Sequence, residues 1–377
     1  MNILIIKLRY MGDVLLSTPV IRSLRKSHPH AHITMVVNKG TEEVIQHNPD
    51  INKIIALDRE RLKATNLWKR LQANVEYIRE VRRHRYDLVL DLTGGDRSAI
   101  LSLLTKAPIR LGLEVKNPTF SINSRFKNIC YTATIKPKFK TLHAIDYHLS
   151  MIEFLGLEPV KDGLEIFIPQ SDKAFVENWL RQQGIGSNIS YVAIHPGARW
   201  WFKQWPLGKF AILADRIQSE LGVPVVFIGG EKEIDDLNKI EEHMETDAIM
   251  VKGKFSVLQI AALTDRAALF VGNDNGPMHI AAAVKTPVIA LFGPSDPAVW
   301  GPWGDGHVVI QKEVPCCPCP HRGCKMGEKN CMELISVEEV FEKVSEKLNK
   351  VKFAKGFSLR PKLSARVKIK NEPSWLN

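Results

Sequence analysis

A single carboxylate, Asp13, stands in Met11-Gly12-Asp13, where an apolar run from Asn2 to Lys7 gives way to Val14, Leu15, Ile21 and Leu24 at helical spacing. A turn between a buried strand and a helix is where α/β proteins expose reactive groups, so Asp13 either points above the sheet or caps the helix. Four later segments combine glycine with charge. His195-Pro196-Gly197-Ala198-Arg199-Trp200-Trp201-Phe202-Lys203-Gln204-Trp205-Pro206 offers two cations, Arg199 and Lys203, to neutralise a diphosphate, and tryptophans that either cover a base or sugar or pack internally. In Gly229-Gly230-Glu231 the glycines admit a close ligand and Glu231 suits sugar hydroxyls, although a plain turn and helix cap has the same composition. In Gly272-Asn273-Asp274-Asn275-Gly276-Pro277-Met278-His279, Pro277 fits a first helical position. The amides of Gly276 to His279 are then expected to form an anion site, with Asp274 holding a hydroxyl or a basic neighbour and His279 either donating to a phosphate or packing in the first turn. Gly293-Pro294-Ser295-Asp296-Pro297, followed by Trp300-Gly301-Pro302-Trp303-Gly304, places Ser295 and Asp296 in the same crevice or in a structural turn.

Positioning these groups requires a sheet with several loops at one end. Apolar runs near Ile3 to Lys7, Ile33 to Val37, Lys53 to Leu57 and Leu88 to Asp91 read as strands, with a charged helix from Leu67 to Arg83 and a closing helix from His143 to Leu155 ending at Gly156. The segment Glu158 to Ser171, with Pro159, Gly163 and Pro169, reads as an interdomain connection. A second alternation comes next, with strands Tyr191 to His195, Val225 to Gly229, Ala248 to Val251, Leu269 to Gly272 and Val288 to Phe292. Helices are expected near Leu207 to Glu220, Glu233 to His243, Val257 to Ala262 and Pro277 to Val284. The fold class is α/β with parallel sheets, and ligands in such sheets sit outside the carboxyl ends of the strands.

The 377 residues, 45% of them hydrophobic, exceed what one core usually serves, so two lobes with a cleft are expected. Lys7 and Arg9 interrupt the first apolar run, which argues against a secretory signal and for the cytoplasm; no apolar run approaches the roughly 20 residues that span a bilayer. A net charge of +11 favours an anionic partner. Part of it lies in Lys350 to Lys370, which is free of acidic residues and reads as a solvated tail or a contact with an anionic membrane; nucleic acid is disfavoured because no binding motif accompanies the charge. No phosphate-binding Gly-x-x-x-x-Gly-Lys-Ser/Thr loop, no Gly-x-Gly-x-x-Gly turn after the first strand of either half and no Asp-x-Asp pair is present. Cys316, Cys319, Cys324 and Cys331, with Cys317 among them, leave three readings open: a structural metal site, reduced packing thiols or a redox pair.

Taken together, Arg9-Tyr10-Met11-Gly12-Asp13 with Thr18-Pro19, Phe202-Lys203-Gln204-Trp205-Pro206, Gly229-Gly230-Glu231, Asp274 to His279 and Gly293 to Pro297 resemble the ADP-heptose:lipopolysaccharide heptosyltransferases, glycosyltransferase family 9, and most of all its heptosyltransferase III subgroup. The resemblance spans roughly Met1 to Leu348. It implies a GT-B fold of two Rossmann-like domains, an acceptor-binding domain over 1–160 and a nucleotide-sugar-binding domain over 170–348, with a basic tail over 349–377. It also implies an inverting, metal-independent transfer needing no cofactor, from an ADP-heptose donor to an acceptor in the inner core of lipopolysaccharide, at the inner face of the inner membrane. Asp13 would be the general base and Lys203 would hold the diphosphate. Arg199, Glu231, Asp274, Asn275, Gly276, Pro277, Met278, His279 and Ser295 would bind the donor. Where the family carries Thr or Ser after the His195 strand, this chain has Gly197-Ala198-Arg199. The competing expectations are another nucleotide sugar on the same fold, or a non-catalytic binder of such a ligand.

Overall fold

The computed structural model describes residues 1–63, 66–113, 129–136, 142–319, 323–327 and 330–355. The chain divides into two units, Met1–Pro169 with Ala298–Trp303, and Gln170–Pro297 with the chain from Gly304 onward.

In the first unit, strands β1 (Asn2–Lys7), β2 (His32–Asn38), β3 (Lys53–Leu57), β4 (Leu88–Asp91), β5 (Ile109–Leu113) and β6 (Ala133–Ile135) form one parallel sheet in the order β3-β2-β1-β4-β5-β6. Ile3 to Ile6 are wholly buried, as a strand covered on both faces requires. The helices of this unit are α1 (Met11–Leu15), α2 (Thr18–Ser27), α3 (Leu67–Arg82), α4 (Asp96–Thr105) and α5 (Ala144–Phe154). Pro19 lies in the first turn of α2, where its missing N–H costs no hydrogen bond. The sheet reverses its order between β1 and β4, where Ile6 pairs with Asp91. That point lies directly before Asp13.

The second unit repeats the plan. Helix α6 (Gln170–Gln182) leads into β7 (Val192–His195), followed by α7 (Leu207–Leu221), β8 (Val225–Gly229), α8 (Ile234–His243), β9 (Ile249–Lys252), α9 (Val257–Arg266), β10 (Leu269–Asn273), α10 (Gly276–Ala283), β11 (Val288–Phe292), β12 (Val308–Gln311) and α11 (Val337–Lys355). The sheet order β12-β11-β10-β7-β8-β9 is that of the first unit displaced by six strands. Its reversal falls between β7 and β10, where Gly272 pairs with His195. Each unit therefore has one switch point, the place at which open α/β sheets receive ligands.

Several expectations need correction. The segment after Gly156 packs on the first unit before the boundary at Pro169: the Val160 amide donates to Ser23 Oγ at 2.9 Å, the Glu165 amide donates to Thr18 Oγ1 at 3.2 Å, and Arg22 pairs with Glu165. Helix α9 runs to Arg266, four residues past the expected Ala262, and α11 continues to Lys355, past the boundary drawn at 348. The rest of the basic tail, 356–377, lies outside the described residues. Trp300 to Trp303 belong with the first unit, where the Trp303 ring lies 4.7 Å from that of His143.

Candidate active site

At the first switch point, β1 ends in Lys7, only 3% exposed. Its ammonium donates to Leu92 O at 2.9 Å and to His148 Nε2 on α5 at 2.8 Å, and lies 3.9 Å from Asp13 Oδ1. His148 Nδ1 stands 3.3 Å from Leu16 O, which can only accept, so the ring carries its proton on Nδ1 and presents Nε2 to the lysine. Burial and the neighbouring Lys7 charge hold His148 well below its ordinary pKa, consistent with a neutral ring. Burial lowers the Lys7 pKa to about 8, against the opposing pull of Asp13 and Asp91. Asp91, wholly buried, accepts from the Thr93 and Gly94 amides at 2.8 and 3.3 Å and from the Tyr131 hydroxyl at 2.5 Å, and burial raises its pKa.

Asp13 resolves both sequence alternatives at once. Its Oδ2 accepts the Tyr10 amide at 3.3 Å, tying the start of α1, while Oδ1 faces the Lys7 ammonium. The side chain is 18% exposed, so the carboxylate is held by both neighbours and still partly open to solvent. A carboxylate held in this way can accept a proton from a hydroxyl brought to it.

At the second switch point, side-chain amides organise the loops. Asn273, wholly buried, donates through Nδ2 to Pro196 O at 2.7 Å and accepts the Trp205 amide at 3.1 Å. Asn275 caps α10 by accepting the Met278 amide at 3.1 Å, which fixes its orientation; its Nδ2 donates to Gly197 O at 2.7 Å and to His195 Nδ1 at 2.9 Å. His195 Nδ1 is therefore the acceptor and Nε2 carries the proton, 3.3 Å from Glu233 Oε2. The Gly230 amide also donates to Glu233 Oε2, at 2.8 Å. Burial alone would raise the Glu233 pKa, but the bonds from His195 and Gly230 outweigh it and the carboxyl is held below its ordinary value. Glycine at 197 leaves room for this pair, because a Cβ there would push against the Glu233 carboxylate and the His195 ring.

Lys203 is held from both sides. The one-turn helix Trp201–Lys203 precedes Gln204, which donates to Asp236 Oδ2 at 2.9 Å, and Trp205, whose indole N–H donates to Ile335 O at 3.0 Å. The Lys203 ammonium meets Asp274 Oδ2 at 2.7 Å. Of the tryptophans expected to offer ring faces, Trp200 and Trp201 are exposed, with Arg199 stacked 5.2 Å over Trp200, but Trp205 is wholly buried against Phe210 and serves the core.

Three donor-site expectations change. The Met278 amide is taken by Asn275 and Pro277 has none, so the start of α10 offers less to an anion than four free amides; His279 is buried within its first turn. Glu231 is exposed, and it is Glu233, two residues on, that enters the network. Ser295 offers its carbonyl to Gln311 Nε2 at 2.8 Å, in a loop clamped by Cys317 Sγ on Gly293 O at 3.1 Å and by the Cys319 amide on Pro294 O at 2.8 Å. Among the described residues no group of three or more His, Cys, Asp or Glu side chains could hold a metal ion, so Cys316, Cys319, Cys324 and Cys331 are not assembled as the metal site their number allowed. Burial raises the Cys317 thiol and pushes Cys331 up to about 11. Sequence reasoning assigned no role to Lys7, His148, Asp91 or Glu233, nor to His195 and Asn273 within their loops. The signals were a lysine closing a fully buried strand, and a glutamate three residues after Gly230 in capping-box spacing.

Both the sequence and the fold match known proteins. Residues 75–330 match glycosyltransferase family 9 (heptosyltransferase). The chain is 31% identical over 305 residues to lipopolysaccharide heptosyltransferase 3 of Escherichia coli, covering 80% of this chain and 86% of that protein. Among solved structures, a glycosyl transferase family 9 protein of Veillonella parvula superposes with a TM-score of 0.80 at 28% identity, covering 93% of this chain and 97% of its own. The Escherichia coli heptosyltransferase WaaC, solved with ADP, superposes with a TM-score of 0.72 at 19% identity, covering 92% of this chain and 100% of its own. The two Rossmann-like units are those of the GT-B fold, and the chain belongs to glycosyltransferase family 9, the heptosyltransferases.

Proposed function

We propose that this enzyme moves heptose from ADP-heptose onto the inner core of lipopolysaccharide, with inversion at the transferred carbon. Family membership and the relative that acts on lipopolysaccharide support the substrate class, and the neighbour bound to ADP supports the donor. The observation that carries the mechanism is the pairing of a half-open Asp13 carboxylate with a buried Lys7 cation at one switch point, and of Lys203 with Asp274 at the other. The Asp13 carboxylate takes the acceptor hydroxyl proton as the hydroxyl oxygen bonds to the heptose carbon. The bond from that carbon to the diphosphate breaks, and ADP leaves with the electron pair.

The carbon passes through an oxocarbenium-like state, so negative charge grows on the departing phosphate. Lys203 and the Gly276 end of α10 meet that charge, while Arg199, Asn275, Pro277, Met278, His279 and Ser295 shape the donor pocket. Glu231, exposed at the end of β8, offers its carboxylate to a ligand hydroxyl, and Glu233, fixed by His195, supports the loop. Because Asn275 and Asn273 are already bonded to the Pro196-Gly197 backbone, the loop needs little reordering when donor binds. The acceptor is anchored in a membrane and is anionic, which suits the net charge of +11 and a working position at the inner face of the cytoplasmic membrane.

Incubation with a panel of nucleotide sugars and core-truncated lipopolysaccharide, read by product mass, tests this. Gain of one heptose with ADP release is the expected result. Transfer from another donor alone would change the sugar, and ADP binding without release would make the protein a binder.

A further inference from the structure

Helix α3 begins sharply, because Asn66 Oδ1 accepts from the Trp68 and Lys69 amides at 3.0 and 3.1 Å. Its inward face is modest: Ala73 and Val81 are buried, and Tyr77 packs beside Leu8, Leu57 and Leu62. The outward face is the more apolar one. Leu67, Trp68, Leu71 and Val75 are 63%, 79%, 54% and 37% exposed, and at 3.6 residues per turn they fall within one arc of roughly 100°. No other helix among the described residues carries more than one exposed large apolar side chain. Single exposed apolar residues are ordinary, whereas a stripe of four marks a contact surface.

The charge around the stripe identifies the partner. Lys69, Arg70, Arg79, Arg82, Arg83 and Arg85 are exposed. The two carboxylates of the helix are already matched, Glu76 by Arg61 at 3.2 Å and Glu80 by Lys53 at 2.5 Å. Arg79 and Arg82 continue the apolar arc toward the helix C-terminus. An anionic bilayer supplies both complements, phosphates for the guanidinium groups and an acyl boundary for the indole and the leucines. The helix is too short and polar to cross, since no described helix qualifies as a membrane span.

We propose that α3 lies flat on an anionic membrane surface, with Leu67, Trp68, Leu71 and Val75 at the acyl boundary and Lys69, Arg70, Arg79 and Arg82 on the headgroup phosphates. This rests on the reading that the acceptor is membrane-anchored, but vesicle binding needs neither donor nor acceptor, so the two claims fail separately. The full chain is sedimented with phosphatidylglycerol–phosphatidylethanolamine vesicles and with phosphatidylcholine vesicles. Wild type is expected to partition onto the former, and Trp68→Ser with Leu71→Ser to lose roughly tenfold or more of that partitioning. Arg79→Glu with Arg82→Glu is expected to lose the part that salt also removes. Because these side chains are exposed, thermal unfolding should stay unchanged in both variants, and so should transfer to a detergent-dispersed acceptor. Undiminished vesicle binding by the Trp68/Leu71 variant overturns the proposal. So does loss of binding only on truncation after Lys355, which would assign the contact to the tail. A dimer in sedimentation velocity that the same variant abolishes, with no vesicle binding by wild type, also overturns it and assigns the stripe to a second copy.

Discussion

The two switch points share one strand order yet carry opposite chemistry. In the first, a reachable carboxylate sits against a buried ammonium, Asp13 on Lys7. In the second, the charged groups are tied in pairs, Lys203 with Asp274 and His195 with Glu233, and two asparagines fix the loop that carries them. The sheets are nearly interchangeable, so the difference resides in the loops that leave β1, β7 and β10. A first site with a partly exposed carboxylate suits a step that needs a base. A second site with many fixed polar groups suits holding a charged ligand. Duplicating a scaffold thus leaves chemistry to a handful of loop residues.

The comparison is broken most severely through Asp13. Asp13→Asn keeps the shape and the bond from the Tyr10 amide but removes the base, and turnover is expected to fall by about 10² to 10⁴. Retained turnover would remove Asp13 from the chemistry.

Lys7 tests whether the first site depends on its buried cation. With a pKa lowered by burial to about 8, Lys7 binds its proton less tightly folded than unfolded. Between pH 8 and the unfolded value the unfolded chain therefore holds more protons, and this group makes stability rise with pH. The penalty is fully present below pH 8 and is relieved as pH climbs toward the unfolded pKa. The stability of wild type relative to Lys7→Met should accordingly rise by about 3 kcal/mol from neutral to strongly alkaline pH, measured by urea unfolding at each pH. A flat difference would mean that Lys7 is solvated.

For the second site, Lys203→Ala removes a cation and leaves Asp274 facing the ligand, so ADP affinity should drop roughly 10- to 100-fold by calorimetry. Unchanged affinity would place the diphosphate elsewhere. The mildest probe is Gly197→Ala. Its Cβ displaces the Glu233 carboxylate from His195, and because that carboxylate ends a flexible side chain the stability loss should stay near ~1 kcal/mol. ADP binding should weaken only a few-fold, on the order of 1 kcal/mol. No change in either would mean that the His195–Glu233 pair is incidental.

The parts of the molecule legible in the chain are the buried ones. Strands β1, β4, β8 and β11 lie within a residue of their expected bounds, because strands covered on both faces are continuous apolar runs. Strands β5, β6 and β12 were missed: β6 has three residues, and β5 and β12 mix polar and exposed positions toward the sheet edge. Asp13 and Lys203 stand out by type and loop position, and the resemblance supplied the roles expected of them. Lys7 and His148 could not, since their 2.8 Å contact joins residues 141 apart and depends on how α5 packs. The choice between Glu231 and Glu233 turns on one short helical turn, Glu231–Glu233, that rotates the second glutamate inward. Nor could spacing show that Asn275 would cap α10 with its oxygen and hold His195 with its nitrogen.

The division of labour between the two units is tested most directly by titrating ADP into Asp13→Asn beside wild type in the calorimeter. ADP should bind the variant within about twofold of wild type, well under ~1 kcal/mol, while the same preparation fails to transfer heptose. A large loss of ADP affinity on removing Asp13 would contradict the account, because it would place the carboxylate in donor binding instead of in proton transfer.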